Sequence, residues 1–323
     1  MRTSFSRSVA KPYIASPLAT EGCETLPFRK ITLADMPAIW RILRHEPGRT
    51  TDFSFGGVAM WVDYFSYEFC IYRDTLFIKG VLEDDRSVPA FSLPVGAMPL
   101  EESVAMLAEY CRRNGVRLEF SAVPEYALDD MKALGAKEIY ELTDWGDYLY
   151  DASRLATLAG KKMVKKRNHV NRFHKLYDGR WTYEDLTIDN CAEALAFMDI
   201  FDREGDDNPQ AADERVLSRR MLADFGALAP YMSGGILKVD GHVCAYTLGD
   251  IKGDTLFVHI EKATRAIDGS YEMINHLYAA RQLALNPTLR YINREDDAGD
   301  EGLRRAKLSY HPETLLRKYN IVM

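Results

Sequence analysis

The chain has no run approaching the ~18 consecutive apolar residues that a membrane-spanning helix needs, so no transmembrane segment is expected. It has no CxxC pair either. Cys23, Cys70, Cys111, Cys191 and Cys244 are odd in number and widely scattered, which argues against a disulfide framework or a zinc ribbon; they read as reduced core thiols. The seven histidines, His242, His259, His276 and His311 among them, show no HExxH or paired metal spacing. A GxSxG elbow, a P-loop and a cysteine–histidine signature are also missing, which removes support for hydrolase and nucleoside-triphosphatase chemistry. Positive charge is in deficit. With a formal net charge of -7, the whole molecule is not attracted to nucleic acid or anionic lipid, and only a local patch reverses that. Residues 1–27 carry basic residues and serines without the apolar core of a secretory signal. They read as a flexible extension, and a cytoplasmic location is the default that these absences leave.

What is present is globular. Apolar residues make up 47% and charged residues 28% of 323, a length that favours two domains. The pattern divides into a first domain over 28–150, a basic helical connector over 151–180 and a second domain over 181–323. In the first, Phe28–Ile31 reads as a strand and Thr32 as the cap of a helix reaching about His45. Glu68–Tyr72 and Leu76–Leu82 form a hairpin around Arg73-Asp74. Pro99–Asn114 has helical apolar spacing closed by Gly115, Val116–Val123 is a strand, and Pro124–Leu134 is a helix closed by Gly135. The connector holds two helical pieces separated by Gly160.

The second half is clearer. Trp181–Leu186 is a strand, and Asn190–Arg203 and Ala211–Leu228 are helices. Tyr231–Val239, His242–Leu248 and Thr255–Glu261 then form an antiparallel meander turned at Asp240-Gly241 and Lys252-Gly253. A helix from Ser270 to about Leu285, a strand over Leu289–Asn293 and a helix over Asp300–Lys307 complete it. This order is that of a GNAT acyltransferase domain.

Four segments carry a more specific likeness: Leu158-Ala159-Gly160-Lys161-Lys162, Lys165-Lys166-Arg167-Asn168-His169, Ile292-Asn293-Arg294-Glu295-Asp296 and the stretch from Gly302 to Tyr310. From about Phe28 onward the chain resembles the domain family named after the C-terminal domain of phosphatidylglycerol lysyltransferase. The resemblance implies an α/β (α+β) protein of two tandem GNAT-like domains, each a mixed, largely antiparallel sheet flanked by helices. It also implies kinship with Fem-type enzymes, which move an amino acid from aminoacyl-tRNA to a lipid or peptidoglycan acceptor.

The candidate site residues follow. The loop before Ser270 joins a strand to a helix N-terminus, where free N–H groups favour a phosphate. Arg265, Gly269, Ser270, Tyr271 and Asn275 are the candidate cofactor-binding residues, although only one glycine stands where acyl-CoA enzymes have several. Lys161, Lys162, Lys165, Lys166, Arg167, Asn168 and His169 are candidate phosphate contacts on the basic helix, the alternative being a solvated linker face. Glu261, at the end of the third meander strand, is the candidate general base, against an ion pair with Lys262 or Arg294. Tyr310 is the candidate proton donor to a departing thiolate, against a core tyrosine. Asn293, Arg294, Glu295, Asp296, Arg304 and Lys307 are expected to line the substrate site. The acidic run from Glu295 to Glu301 lacks the alternation of a calcium loop, and no metal is assigned to it.

These residues predict an acyl or aminoacyl transferase with no covalent enzyme intermediate, drawing on acyl-CoA or aminoacyl-tRNA and acting on an amine or hydroxyl. The alternatives are an inactive phosphate- or RNA-binding module and a structural interaction protein. The oligomeric state is left open.

Overall fold

The structure, a computed structural model, describes residues 26–203 and 209–323. The extension read over residues 1–27 therefore lies outside the described residues, apart from its last two, and so does Cys23. The first half runs β1 (Arg29–Lys30), α1 (Met36–Leu43), α2 (Phe55–Trp61), β2 (Glu68–Tyr72), β3 (Thr75–Val81), β4 (Pro89–Phe91) and β5 (Val95–Gly96). It continues with α3 (Leu100–Asn114), β6 (Glu119–Pro124), α4 (Leu128–Ala133) and β7 (Glu138–Glu141). Then come β8 (Asp147–Asp151), α5 (Ala152–Thr157), α6 (Val164–Leu176), β9 (Trp181–Asp185), α7 (Cys191–Arg203), α8 (Pro209–Ala223) and α9 (Phe225–Leu228). The meander is β10 (Met232–Val239), β11 (His242–Lys252) and β12 (Thr255–Ala263), followed by α10 (Ser270–Leu285), β13 (Tyr291–Asn293), α11 (Glu301–Leu308), β14 (Thr314–Leu316) and β15 (Lys318–Val322).

Local chemistry explains many of these bounds. Arg73 and Asp74 both take positive φ between β2 and β3, as a two-residue hairpin turn requires. Gly115 ends α3 in the left-handed conformation at φ 66°, which costs a residue without Cβ nothing. Asp300 caps α11 by accepting the Leu303 N–H at 2.7 Å.

Two sheets result. One has the order β1-β2-β3-β4-β6-β15-β7, with β5 also on β3, and the other β14-β8-β13-β12-β11-β10-β9. Pairing is antiparallel except at β4/β6 and β12/β13. The two halves exchange strands: β15, at the C-terminus, lies between β6 and β7 of the first sheet, while β8 lies between β14 and β13 of the second. The sheets thus do not follow the division drawn at residues 150 and 181. Both exchanged strands are almost wholly buried, so they show none of the alternation that marks a half-buried strand.

The larger core joins the first sheet and its helices to α7, α8, α9 and one face of the second sheet; Phe55 of α2 stacks on Tyr231 at 4.5 Å between centroids. The smaller core lies on the opposite face, under α5, α6 and α10. Cys70, Cys111 and Cys244 are buried free thiols, whereas Cys191 is partly exposed at the start of α7. Among the described residues, no helix is long and apolar enough to cross a membrane.

Candidate functional site

A wedge opens in the second sheet. β12 and β13 run parallel for only three register pairs, ending at Phe257 and Asn293. Beyond them the chain after Asn293 leaves with β8, exchanging Arg294 N–H to Tyr148 O and Tyr148 N–H to Glu295 O, while β12 runs on to Ala263. A β-bulge at His259 sets what faces this opening. The β11/β12 register shifts between Leu248 and Gly249, so His259 and Ile260 fall on the same side and the alternation after them is inverted. Glu261 is thereby turned toward α10 and the wedge.

There Glu261 accepts hydrogen bonds from Arg294 Nη2 at 2.7 Å and Asn275 Nδ2 at 2.9 Å. The Arg294 guanidinium lies 4.7 Å from the ring centroid of Tyr310 and 5.7 Å from that of Tyr150. Lys166, from α6, reaches in from the connector: its ammonium lies 3.9 Å from the Tyr310 centroid and pairs with Glu272 at 3.1 Å. Burial lowers the Lys166 pKa, and Glu272 offsets this only in part. Burial raises the Tyr310 phenol well above its usual range despite the opposing field of Arg294. Burial opposes the Arg294 charge as well, yet Glu261, Tyr150 and Tyr310 outweigh it and raise its pKa.

The structure sorts the expected site residues. Glu261, Asn275, Arg294, Tyr310 and Lys166 converge on the wedge. With both oxygens of Glu261 engaged, its geometry is that of a carboxylate that holds Arg294 and Asn275, as in the ion-pair alternative, more than that of a free base. Lys307 is a clamp: its ammonium donates to Arg294 O at 2.6 Å and to Asp296 O, fixing the turn that carries the guanidinium. Arg304 pairs with Asp297 and Asp144 at the outer end of that turn. Asn293 and Glu295 serve the contact between halves, Asn293 donating to Arg49 O at 2.7 Å and to Asp147 at 2.9 Å.

Along α6 and the turn before it, Arg167 bonds the carbonyls of Leu158 and Gly160, while Lys161, Lys162, Lys165, Asn168 and His169 are exposed. Gly269 sits at φ 81° against α6, and a Cβ there would lie 3.0 Å from the His169 carbonyl oxygen. Ser270 turns inward, its hydroxyl donating to Thr264 O at 2.8 Å and its N–H to Ile267 O. The Gly269 turn is therefore packed under the connector helix; Arg265 and Tyr271 lie at the surface beside it.

Two charge clusters between the halves had no signature in sequence spacing. In one, His259, wholly enclosed, lies 2.5 Å from Asp250 and 2.7 Å from Glu295, and Asp250 also accepts the N–H groups of Phe55 and Gly56 at the start of α2. A Cβ on Gly56 would sit 2.3 Å from the His259 ring, so only glycine permits this docking. Burial opposes the imidazolium, but the hydrogen bonds to Asp250 and Glu295 raise its pKa to about 10. In the other, Lys318 bridges Asp147 at 2.7 Å and Asp52 at 2.8 Å.

Asp296 belongs to the second cluster. Burial raises its pKa to about 7, with Lys318 and Lys307 opposing and Asp147 and Glu295 reinforcing. A carboxyl whose folded pKa lies above its unfolded value adds stability at low pH and loses it as pH rises through the folded value. Stability attributable to Asp296 is thus present below about pH 4 and gone above about pH 7. Asp296→Asn is expected to abolish that decline and stabilise the protein at pH 8 by roughly 1–3 kcal/mol. Urea unfolding between pH 4 and 8 measures it; parallel curves for wild type and variant would contradict the assignment.

Two tandem sheets of this connectivity, one split by a wedge lined with charged side chains, make this a tandem GNAT-like protein. More particularly, the chain belongs to the family described as phosphatidylglycerol lysyltransferase, C-terminal, which it matches over residues 44–322. It is 34% identical to a conserved protein of unknown function from Bacteroides thetaiotaomicron VPI-5482, with a TM-score of 0.85 over 93% of this chain and 100% of that one. L-PGS from Bacillus licheniformis shares the fold at 12% identity and a TM-score of 0.61, covering 90% of this chain and 91% of that one. FemX does so at 10% and 0.60, covering 92% and 97%. An uncharacterized protein of Mycoplasmoides gallisepticum is 28% identical over 184 residues, 54% of each chain, so the chain matches about half the length of that curated relative. Family and fold are those of transferases.

Proposed function

We propose that the chain transfers an activated aminoacyl or acyl group from a phosphate-bearing carrier to an amine or hydroxyl acceptor. The observation that carries this reading is the wedge itself. Strands that part after three pairs leave the facing edges of β12 and β13 unpaired beyond Phe257 and Asn293, and Glu261, Asn275, Arg294 and Tyr310 gather at that place. In the reaction the acceptor's lone pair attacks the carbonyl carbon, and a new C–N or C–O bond forms. The bond to the carrier's oxygen or sulfur breaks, and that atom leaves with the acceptor's proton. The fold contributes alignment of the two reactants and charge stabilisation at the carbonyl oxygen.

Of the two donor classes, the site favours aminoacyl-tRNA over acyl-CoA. The Gly269 turn that would cradle a pyrophosphate is backed by α6, whereas the outer face of the connector presents Lys161, Lys162, Lys165 and Lys175, exposed and without a carboxylate partner among the described residues. Exposed ammonium groups of this kind suit a sugar–phosphate backbone, and the kinship with Fem-type enzymes that the sequence motifs imply points the same way.

The test is consumption of both donor classes, with tRNA binding measured across a salt series. Replacing Lys161, Lys162, Lys165 and Lys175 by Gln is expected to reduce the slope of log affinity against log salt by roughly 3, about 0.7–0.9 for each of the four charges removed. An unchanged slope would show that the connector does not meet the nucleic acid. Salt-dependent binding with no consumption of either donor would instead favour the inactive RNA-binding module.

A further inference from the structure

The wedge contains two buried polar groups that the protein leaves without partners: Arg294 Nη1 and Asn275 Oδ1. Their orientation follows from chemistry. An ionised carboxylate only accepts, so Glu261 obliges Asn275 to offer Nδ2 and leaves Oδ1 facing away. Arg294 offers Nη2 to the other carboxylate oxygen, which leaves Nη1 over; the guanidinium cannot shed its proton to escape. Asn275 is 3% exposed, so bulk water does not satisfy its oxygen. Buried polar groups in folded proteins are nearly always paired, and leaving one donor and one acceptor orphaned on either side of a single carboxylate is costly unless a ligand completes them.

We propose that Arg294 and Asn275 form a two-point site for the reacting centre, Arg294 Nη1 donating to the carbonyl oxygen under attack and Asn275 Oδ1 accepting the N–H or O–H of the attacking group. This rests on the transfer reading above. As the acceptor attacks, the carbonyl π pair moves onto oxygen, and the fixed guanidinium, wedged between Tyr310 and Tyr150, meets the charge where it develops. When the tetrahedral centre collapses, that pair returns and the carrier atom departs with the proton. Asn275 orients the nucleophile and takes no proton. Glu261 is a positioning residue that holds both partners.

The test uses acetamide, which has a carbonyl and N–H groups, and N,N-dimethylacetamide, which has the carbonyl alone. Binding to the full chain is followed by ligand-observed NMR, with thermal melts as a check of folding. Asn275→Leu is expected to weaken acetamide by roughly tenfold and leave dimethylacetamide unchanged. Arg294→Lys retains the ion pair to Glu261 but lacks the second nitrogen, and weakens both. A merely structural role would not separate the two probes. Equal losses for both probes in Asn275→Leu, or no loss in either variant, overturn the assignment. If that happens while the wild type still consumes a donor, the transfer reading stands and only this site falls. Separation of the probes in a protein that consumes neither donor upholds the site and sinks the transfer reading.

Discussion

Ending the chain at Arg317 is expected to abolish the folded state, because the six residues removed include a central strand. β15 pairs with β6 on one side and β7 on the other, so its loss splits the first sheet and leaves two rows of backbone groups without partners. Tyr319, Ile321 and Val322 are core residues, and burying three such side chains contributes about 5–9 kcal/mol. Lys318 goes with them, leaving the fully enclosed Asp147 without its cation; a buried charge that loses its counter-charge costs about 3–5 kcal/mol more. The sum matches the whole stability of an ordinary domain, about 5–15 kcal/mol. The reciprocal strand β8 makes the loss general, since the first sheet cannot come apart without disturbing the chain that feeds the second. Circular dichroism and a thermal melt decide it. A truncated chain that still melts cooperatively within about 5 °C of the full-length protein would show that the strand exchange is incidental.

The same strands show where sequence reading ends. The meander and α10 were legible because their signals are local: alternation, Asp240-Gly241, and a glycine before the helix. β8 and β15 carry Asp147, Lys318 and Asn320 at buried positions, and a polar residue reads as buried only when its partner is known. Those partners lie far along the chain. α2 carries little local helical signal, because two adjacent glycines disfavour a helix interior; Gly56 is required by the His259 ring and Gly57 by the Thr51 carbonyl. The site was half visible. Glu261, Arg294 and Tyr310 could be named from their places in the expected fold, but the bulge that aims Glu261 and the pairing that occupies it are three-dimensional facts. The Gly269 turn had the right local chemistry for a phosphate, and the sequence held no sign that α6 would cover it.

Lys252→Met tests the contact between halves at a buried ion pair, and a loss of about 3–5 kcal/mol is expected. The Lys252 side chain is 3% exposed and that of Glu46 2%, with their charged atoms 2.5 Å apart. The ammonium also donates to Phe53 O at 2.8 Å, and Tyr126 donates to the second Glu46 oxygen at 2.5 Å. Burial lowers the Lys252 pKa and Glu46 opposes this, so the pair stands only while both members remain. Removing the lysine strands a carboxylate in a place that water does not reach. Adding Glu46→Gln relieves that charge and keeps an acceptor for Tyr126, so the double variant is expected to recover all but about 1–2 kcal/mol. The pattern, a severe single and a mild double, separates a buried charge from lost packing, which would make the two changes additive. Urea unfolding supplies a second reading through its slope. Glu46 belongs to the first half and Lys252 to β11, so if their contact holds the halves in one cooperative unit, Lys252→Met lowers the slope as they begin to unfold separately. An unchanged slope with an additive double variant would mean that the strand exchange alone unites the molecule.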